Sequence, residues 1–304
     1  MGPTMARNFQ VHQIDAFTRV KFTGNPAGVV LDADALTDAE MLAIARELNN
    51  ADTAFILKAD GADHDLRVRF FTPRTEAAFV GHASVAAHYV LSAAKSGTRR
   101  LRQKSRAGVV EVEIRGGDAQ RRIAIRQSAP PLGREINDRE RLAVMDALAL
   151  ASADLDLHCP VKVMGAGSTR LMVGVRGPEQ LRQLKPDVSR LTTLSAQLGA
   201  QGFFVFTLAP ELPDVLTESR MFCPALGIAE DPVSGNAHGM LGVYLARHGL
   251  LGTAAAQMKF AGAQGHHVNR PGRVEVELEY QDDAVAGVWI VGQATAIFET
   301  QISL

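Results

Sequence analysis

Arg69-Phe70-Phe71-Thr72-Pro73 and Arg220-Met221-Phe222-Cys223-Pro224 are two versions of one phrase, at an offset of 151 (220 − 69). Downstream, Gly81-His82-Ala83 is echoed by Gly235-Asn236-Ala237, at an offset of 154 (235 − 81). Upstream, Thr53-Ala54-Phe55-Ile56 is echoed by Gly202-Phe203-Phe204-Val205. Each set reads strand, proline turn, loop, glycine, helix. Three echoes in one order at a nearly constant offset indicate an internal duplication. The chain of 304 residues is also long for one hydrophobic core. Two pseudo-symmetric lobes follow, 1–128 and 129–288, with the boundary in the weakly patterned stretch from Ser128 to Asn137. A duplicated lobe places a cleft on the pseudo-twofold, where two matching helix starts face each other.

Period-two alternation marks the strands. Leu66, Val68 and Phe70 alternate with Arg67 and Arg69; Val110, Val112 and Ile114 with Glu111 and Glu113; Val274, Val276 and Leu278 with Glu275 and Glu277. One face of each goes to a core and the other to water, as in antiparallel or mixed sheet. Thr37 and Glu40 form a capping box that opens a helix carrying Met41, Ile44, Ala45 and Leu48. Further helices are read from Asp138 through Leu148, from near His82 through Val90, and from near Asn236 to a stop at Gly249. The class is α+β.

Composition excludes several functions. Hydrophobic residues make up 46% and the formal net charge is −1, so a globular protein is expected with no field for nucleic acid or an anionic membrane. The basic run Arg99, Arg100, Arg102, Lys104, Arg106 lacks interleaved aromatics and reads as a solvated loop. His266-His267 reads as a surface loop. Two scattered cysteines, Cys159 and Cys223, fit a reducing interior, no apolar run reaches membrane-span length, and Met1 to Gln10 lacks the apolar core of a signal peptide. A cytoplasmic location is expected. No phosphate loop follows a strand, no nucleophile elbow is present, and no zinc spacing occurs, so neither metal nor organic cofactor is expected; Gly165-Ala166-Gly167 is too short to count as a nucleotide loop.

The chemistry-bearing residues cluster at the two helix starts. Gly81 and Gly235 let a backbone approach a ligand closely, and a helix N-terminus offers unpaired N–H groups and partial positive charge. Either these are ordinary helix starts, or together they hold a carboxylate or an enolate-like charge. Asp52 stands between a helix and a strand, where it either ends a turn or acts as an acid–base group. With His82 and with Asp231 in Glu230-Asp231-Pro232, it forms a candidate acid–base set: catalytic Asp52, His82 and Asp231, with Gly81, Ser234, Gly235 and Asn236 binding substrate. A carboxylate of ordinary pKa, ~3.9, is a weak base, so such a role asks for burial or a like charge nearby.

These residues resemble a known family. Ile14-Asp15-Ala16-Phe17, Gly24-Asn25-Pro26-Ala27-Gly28-Val29-Val30, Ala45-Arg46-Glu47-Leu48-Asn49, Phe71-Thr72-Pro73, Gly81-His82-Ala83 and Glu230-Asp231-Pro232-Val233-Ser234-Gly235-Asn236-Ala237 together resemble the PhzF phenazine-biosynthesis family, and its YddE-like branch most closely. The resemblance implies the diaminopimelate epimerase-like fold: two pseudo-symmetric lobes of mixed β-sheet, each wrapped around a central helix. It also implies a final strand, about 289–304, that returns to the first lobe. The family reaction is a proton shift on trans-2,3-dihydro-3-hydroxyanthranilate without cofactor or metal. Its catalytic glutamate falls on Asp52, which reaches roughly 1.5 Å less far by ordinary covalent geometry. Its His and Asp fall on His82 and Asp231, its backbone contacts on Gly81 and Gly235, and its serine on Asn236. The paired cysteines of diaminopimelate epimerases would fall on Val80 and Ser234, which removes a two-thiol racemase. Three readings stand: an isomerase acting on a small carboxylate in the cleft, a racemase or epimerase with carboxylate bases, and a non-catalytic small-acid binder. A homodimer is expected, and the only other partner is the small-molecule substrate.

Overall fold

The computed structural model describes residues 6–93, 97–117, 120–251 and 259–304. The first five residues of the amino-terminal stretch read above lie outside them. The chain divides into two compact units, Met1–Arg126 with Gly292–Leu304, and Gln127–Val291.

The first unit begins with β1 (Asn8–Ala16), β2 (Asn25–Val30), α1 (Asp38–Leu48), β3 (Asp52–Lys58) and β4 (Leu66–Phe71). It continues with β5 (Glu76–Ala77), α2 (Gly81–Ser92), β6 (Arg99–Ser105), β7 (Gly108–Arg115) and β8 (Arg122–Ser128), within which the unit boundary falls. β2 and β3 run parallel, with α1 as the crossover; β3–β4, β4–β5, β6–β7 and β7–β8 are antiparallel, and β4–β6 is parallel. Both bonds of the capping box are made: Glu40 N–H donates to Thr37 Oγ1 (3.3 Å) and Thr37 N–H to Glu40 Oε2 (2.8 Å). Ala54, Ile56, Val68 and Phe70 pack with Ala83, Ala86 and Ala87 of α2; Phe55, Leu57 and Phe71 pack with Met41, Ile44 and Ala45 of α1. The alanines give α2 a narrow surface that the sheet can approach closely on β1, β2 and β3.

The second unit repeats the plan after β9 (Leu132–Glu135), α3 (Asp138–Leu148) and β10 (Lys162–Met164). β11 (Arg170–Val175) runs parallel to β12 (Gly202–Thr207), the crossover now holding α4 (Pro178–Gln183) and α5 (Val188–Leu198). β13 (Thr217–Cys223) pairs antiparallel with β12 and with β14 (Ile228–Asp231), then α6 (Gly235–Arg247) follows. β15 (Lys259–Gln264) lies parallel to β13, β16 (Gly272–Gln281) pairs with β15, and β17 (Ala284–Gly292) pairs with β16. Almost every face of α6 is buried, which its glycines, alanine and apolar residues allow. Finally β18 (Ala294–Ser303) lies antiparallel to β1, from Asn8 opposite Ser303 to Ala16 opposite Ala294.

The structure corrects three local expectations. The basic run is strand β6, not a loop: Gln103 turns inward to His88 Nε2 (2.8 Å) and Ser84 Oγ (3.2 Å), while Arg100 pairs with Glu113 and Lys104 with Asp60 (3.0 Å). The stretch with Pro130 and Pro131 contains β9, which pairs with β10. α3 itself opens at Asp138 and ends at Leu148, as read, and Asn137 caps it, its Oδ1 accepting from Glu140 N–H (2.9 Å). The upstream echo shifts by one residue. Thr53 faces Phe71 and Phe203 faces Phe222, so Asp52 corresponds to Gly202 and not Thr53 to Gly202. A one-residue slip reverses the face of every side chain, and only the pairing register resolves it.

Candidate active site

In the first unit, α1 ends on Asn49 in the left-handed region (φ 52°), whose N–H returns to Ala45 O (3.1 Å). Three residues later Asp52 opens β3, opposite Ala27. The pleat sends Asp52 to the same face as Ala54 and Ile56, the face covered by α2. α2 starts at Gly81, with Val80 before it, so no side chain caps its first amides. A Cβ on Gly81 would meet nothing within 4 Å, so the helix start opens onto free space. Ser84 Oγ turns back to donate to Val80 O (2.9 Å).

His82, the second residue of α2, carries its imidazole to Asp52. Nε2 and Oδ2 lie 3.8 Å apart, and both residues are buried. Burial pushes the His82 pKa down to about 4. Desolvation of the imidazolium thus outweighs the nearby carboxyl group, and the contact at neutral pH is a neutral imidazole beside a carboxyl group rather than an ion pair. Among the described residues Nε2 has no hydrogen-bond partner.

In the second unit, Asp231 ends β14 opposite Met221. Glu230, its neighbour, receives both ends of the Arg220 guanidinium (2.9 and 2.7 Å), and Arg220 also donates to Leu181 O (2.8 Å). Arg69 grips Glu76 in the same way in the first unit (2.8 and 2.9 Å). Each arginine stacks over a strand phenylalanine at 5.1 Å, Phe71 or Phe222. Each glutamate precedes its helix-start glycine by five residues (81 − 76 and 235 − 230). The same clamp therefore sets the approach to both helices.

Between Asp231 and α6, buried Gln264 spans the turn: its Nε2 donates to Asp231 O (2.6 Å) and its Oε1 accepts from Ser234 N–H (3.0 Å). Ser234 serves as the cap of α6, its Oγ accepting from Ala237 N–H (3.3 Å), while His238 Nδ1 hydrogen-bonds Ser234 O (2.8 Å). Asn236 Nδ2 donates to Ser168 Oγ (3.0 Å). The structure thus brings Asp52 to His82, links Asp231 to Ser234 through Gln264, and sets Asn236, two residues after Ser234 and next to Gly235, on Ser168. Sequence reasoning passed over Gln264 and Ser168. The available signal was Ser168 just after the short glycine loop, but its meaning depends on contact with Asn236.

Neither cysteine offers a thiolate, because burial pushes both thiols up to about 12. Among the described residues no cluster of three His, Cys, Asp or Glu side chains could hold a metal. No described helix is long and apolar enough to cross a membrane.

Comparison with known proteins bears on this geometry. The family model described as phenazine biosynthesis-like protein, PhzC-PhzF, matches residues 14–300. The uncharacterized isomerase YddE of Salmonella typhimurium is 39% identical over 293 residues, covering 96% of this chain and 97% of that protein. The trans-2,3-dihydro-3-hydroxyanthranilate isomerase of Pseudomonas aeruginosa is 28% identical, covering 94% of this chain and 96% of that protein. The crystal structure of the Bacillus anthracis PhzF-family protein superimposes with a TM-score of 0.87 at 29% identity, covering 97% of this chain and 99% of that one.

Proposed function

The chain belongs to the PhzC-PhzF, phenazine biosynthesis-like, family, and from that membership we propose that it is a cofactor-independent isomerase shifting a proton on a small carboxylate-bearing substrate. The observation that carries the proposal is the buried pair of Asp52 and His82 at an uncapped helix start. Asp52 takes a proton from a carbon made acidic by conjugation. The electron pair left behind moves into the conjugated system, and the proton is returned at a second carbon. No group is transferred and no electron leaves the substrate, so the step balances with one acid–base residue. The amides of the α2 start are placed to stabilise the developing negative charge. His82, being neutral, orients substrate or relays a proton without adding a competing cation. Asp231, with Gly235, Ser234 and Asn236, is assigned to binding and positioning.

The structural counterpart of Asp52 favours an isomerase over a two-carboxylate racemase. By strand register it is Gly202, which carries no side chain. The duplication thus supplies one acid at this position instead of a symmetric pair. In deuterated water, turnover of trans-2,3-dihydro-3-hydroxyanthranilate read by NMR tests the proposal. A double-bond shift with deuterium at one carbon, or proton transfer without washout, supports it. Inversion of a stereocentre without a double-bond shift would instead establish the epimerase reading.

A further inference from the structure

A guanidinium taken out of water is normally matched by a carboxylate, because an unpaired buried charge is strongly unfavourable. Arg220 shows this arrangement, with Glu230 on two of its nitrogens. Arg170 does not. It is 9% exposed, Nη1 donates to the carbonyl of its own neighbour Thr169 (2.8 Å), and Nε is buried without an acceptor among the described residues. It makes no ion pair among the described residues.

Its placement is specific. Leu171, Val173 and Val175 point into the core shared with α3 and α5. Strand alternation therefore turns Arg170 to the opposite face, toward α6. Two residues earlier, Ser168 holds Asn236 at the start of that helix (3.0 Å). Gly202, opposite Arg170, lies against Cys223 and Met221, and Asp231 stands opposite Met221, so Arg170 and Asp231 lie at one end of the unit. Across the strand pair Arg170 faces Gly202, as Ala27 faces Asp52 in the first unit. Where one unit has a small residue beside an acid, the other has a cation beside no side chain.

We infer that Arg170 is the anion receptor of the second unit, its guanidinium taking the carboxylate of a small organic acid next to Asn236. The inference rests on the reading that the substrate bears a carboxylate, and it adds a specificity residue to that reading. A planar fork of N–H donors fits a carboxylate bidentately, which explains an arginine here where a lysine would give only a point charge.

Anthranilate and its uncharged amide, anthranilamide, are suitable probes, titrated calorimetrically into the whole protein. The wild type should prefer anthranilate. Arg170→Met should weaken anthranilate by at least about tenfold, leave anthranilamide unchanged, and melt no lower than the wild type, since it removes an uncompensated charge. Arg170→Lys, which keeps the charge, should fall between the two. Wild-type binding without preference for the acid would overturn the inference. So would anthranilate affinity within about twofold of wild type in Arg170→Met or, if that variant fails to fold, in Arg170→Lys. Asp52→Asn should bind anthranilate as the wild type does while losing proton exchange, so a failure at Arg170 is distinct from a failure of the isomerase reading.

Discussion

His82 Nε2 lies 3.8 Å from Asp52 Oδ2, with both residues buried at the junction of β3 and α2. The closeness of an imidazole to a carboxyl group would ordinarily raise the imidazole pKa, yet burial lowers it to about 4. Two further histidines, His88 and His238, are pushed down to about 4 by the same cause. In the unfolded chain all three return to an ordinary value near ~6.5. Between these limits the unfolded state binds more protons, so stability falls as pH drops from about 6.5 toward about 4 and is flat with respect to these groups above that window. Urea midpoints measured from pH 7.5 to 5 should decline, with up to about 1.4 kcal/mol per pH unit from each histidine. NMR should show the three imidazoles still neutral at pH 5.5. Imidazole titration near pH 6.5 in the folded protein would contradict the burial argument.

Arg220→Met should cost about 1–3 kcal/mol of stability, because the half-buried Glu230 is left without its cation and Leu181 O without its donor. Arg69→Met should cost less. Glu76 keeps a second cation, Arg106 at 3.4 Å, and Arg69 itself is more exposed than Arg220. Paired urea denaturation curves read the difference, and an equal or inverted ranking would show that the two clamps do not work as described.

Gly202→Ala tests the asymmetry between the units. A Cβ there would lie 2.6 Å from Cys223 Sγ and 2.8 Å from Met221 Cε. Overpacking of this kind costs about 1–3 kcal/mol. In a Cys223→Ala background the sulfur is gone, so the penalty should shrink. A double-mutant cycle with no coupling would mean that the sulfur does not set the requirement for glycine.

Much of this arrangement was legible in the sequence. The capping box of Thr37 and Glu40, the alternation around Val112 and the repeated arginine phrase all encode local geometry, which residue spacing reports directly. The basic run misled because four of the seven residues of β6 are cationic, while its inward position is held by Gln103, a polar residue that faces His88. The off-by-one echo arose because Thr53-Ala54-Phe55-Ile56 and its partner are buried on both faces with no alternation of polar and apolar residues, so the pattern carries no phase. Gln264, Ser168 and Arg170 were illegible for another reason. Each owes its role to a residue distant in sequence, or, for Arg170, to the lack of a counter-charge that only burial makes significant.

Asp52 is proposed as the base of the proton shift. Its most direct test is the rate of turnover and of carbon-bound deuterium uptake from deuterated water, compared between wild type and Asp52→Asn, which keeps the shape of the side chain and removes its basicity. The substitution should lower both rates by ~10²–10⁴-fold while the protein stays folded. A loss of less than about tenfold would contradict it.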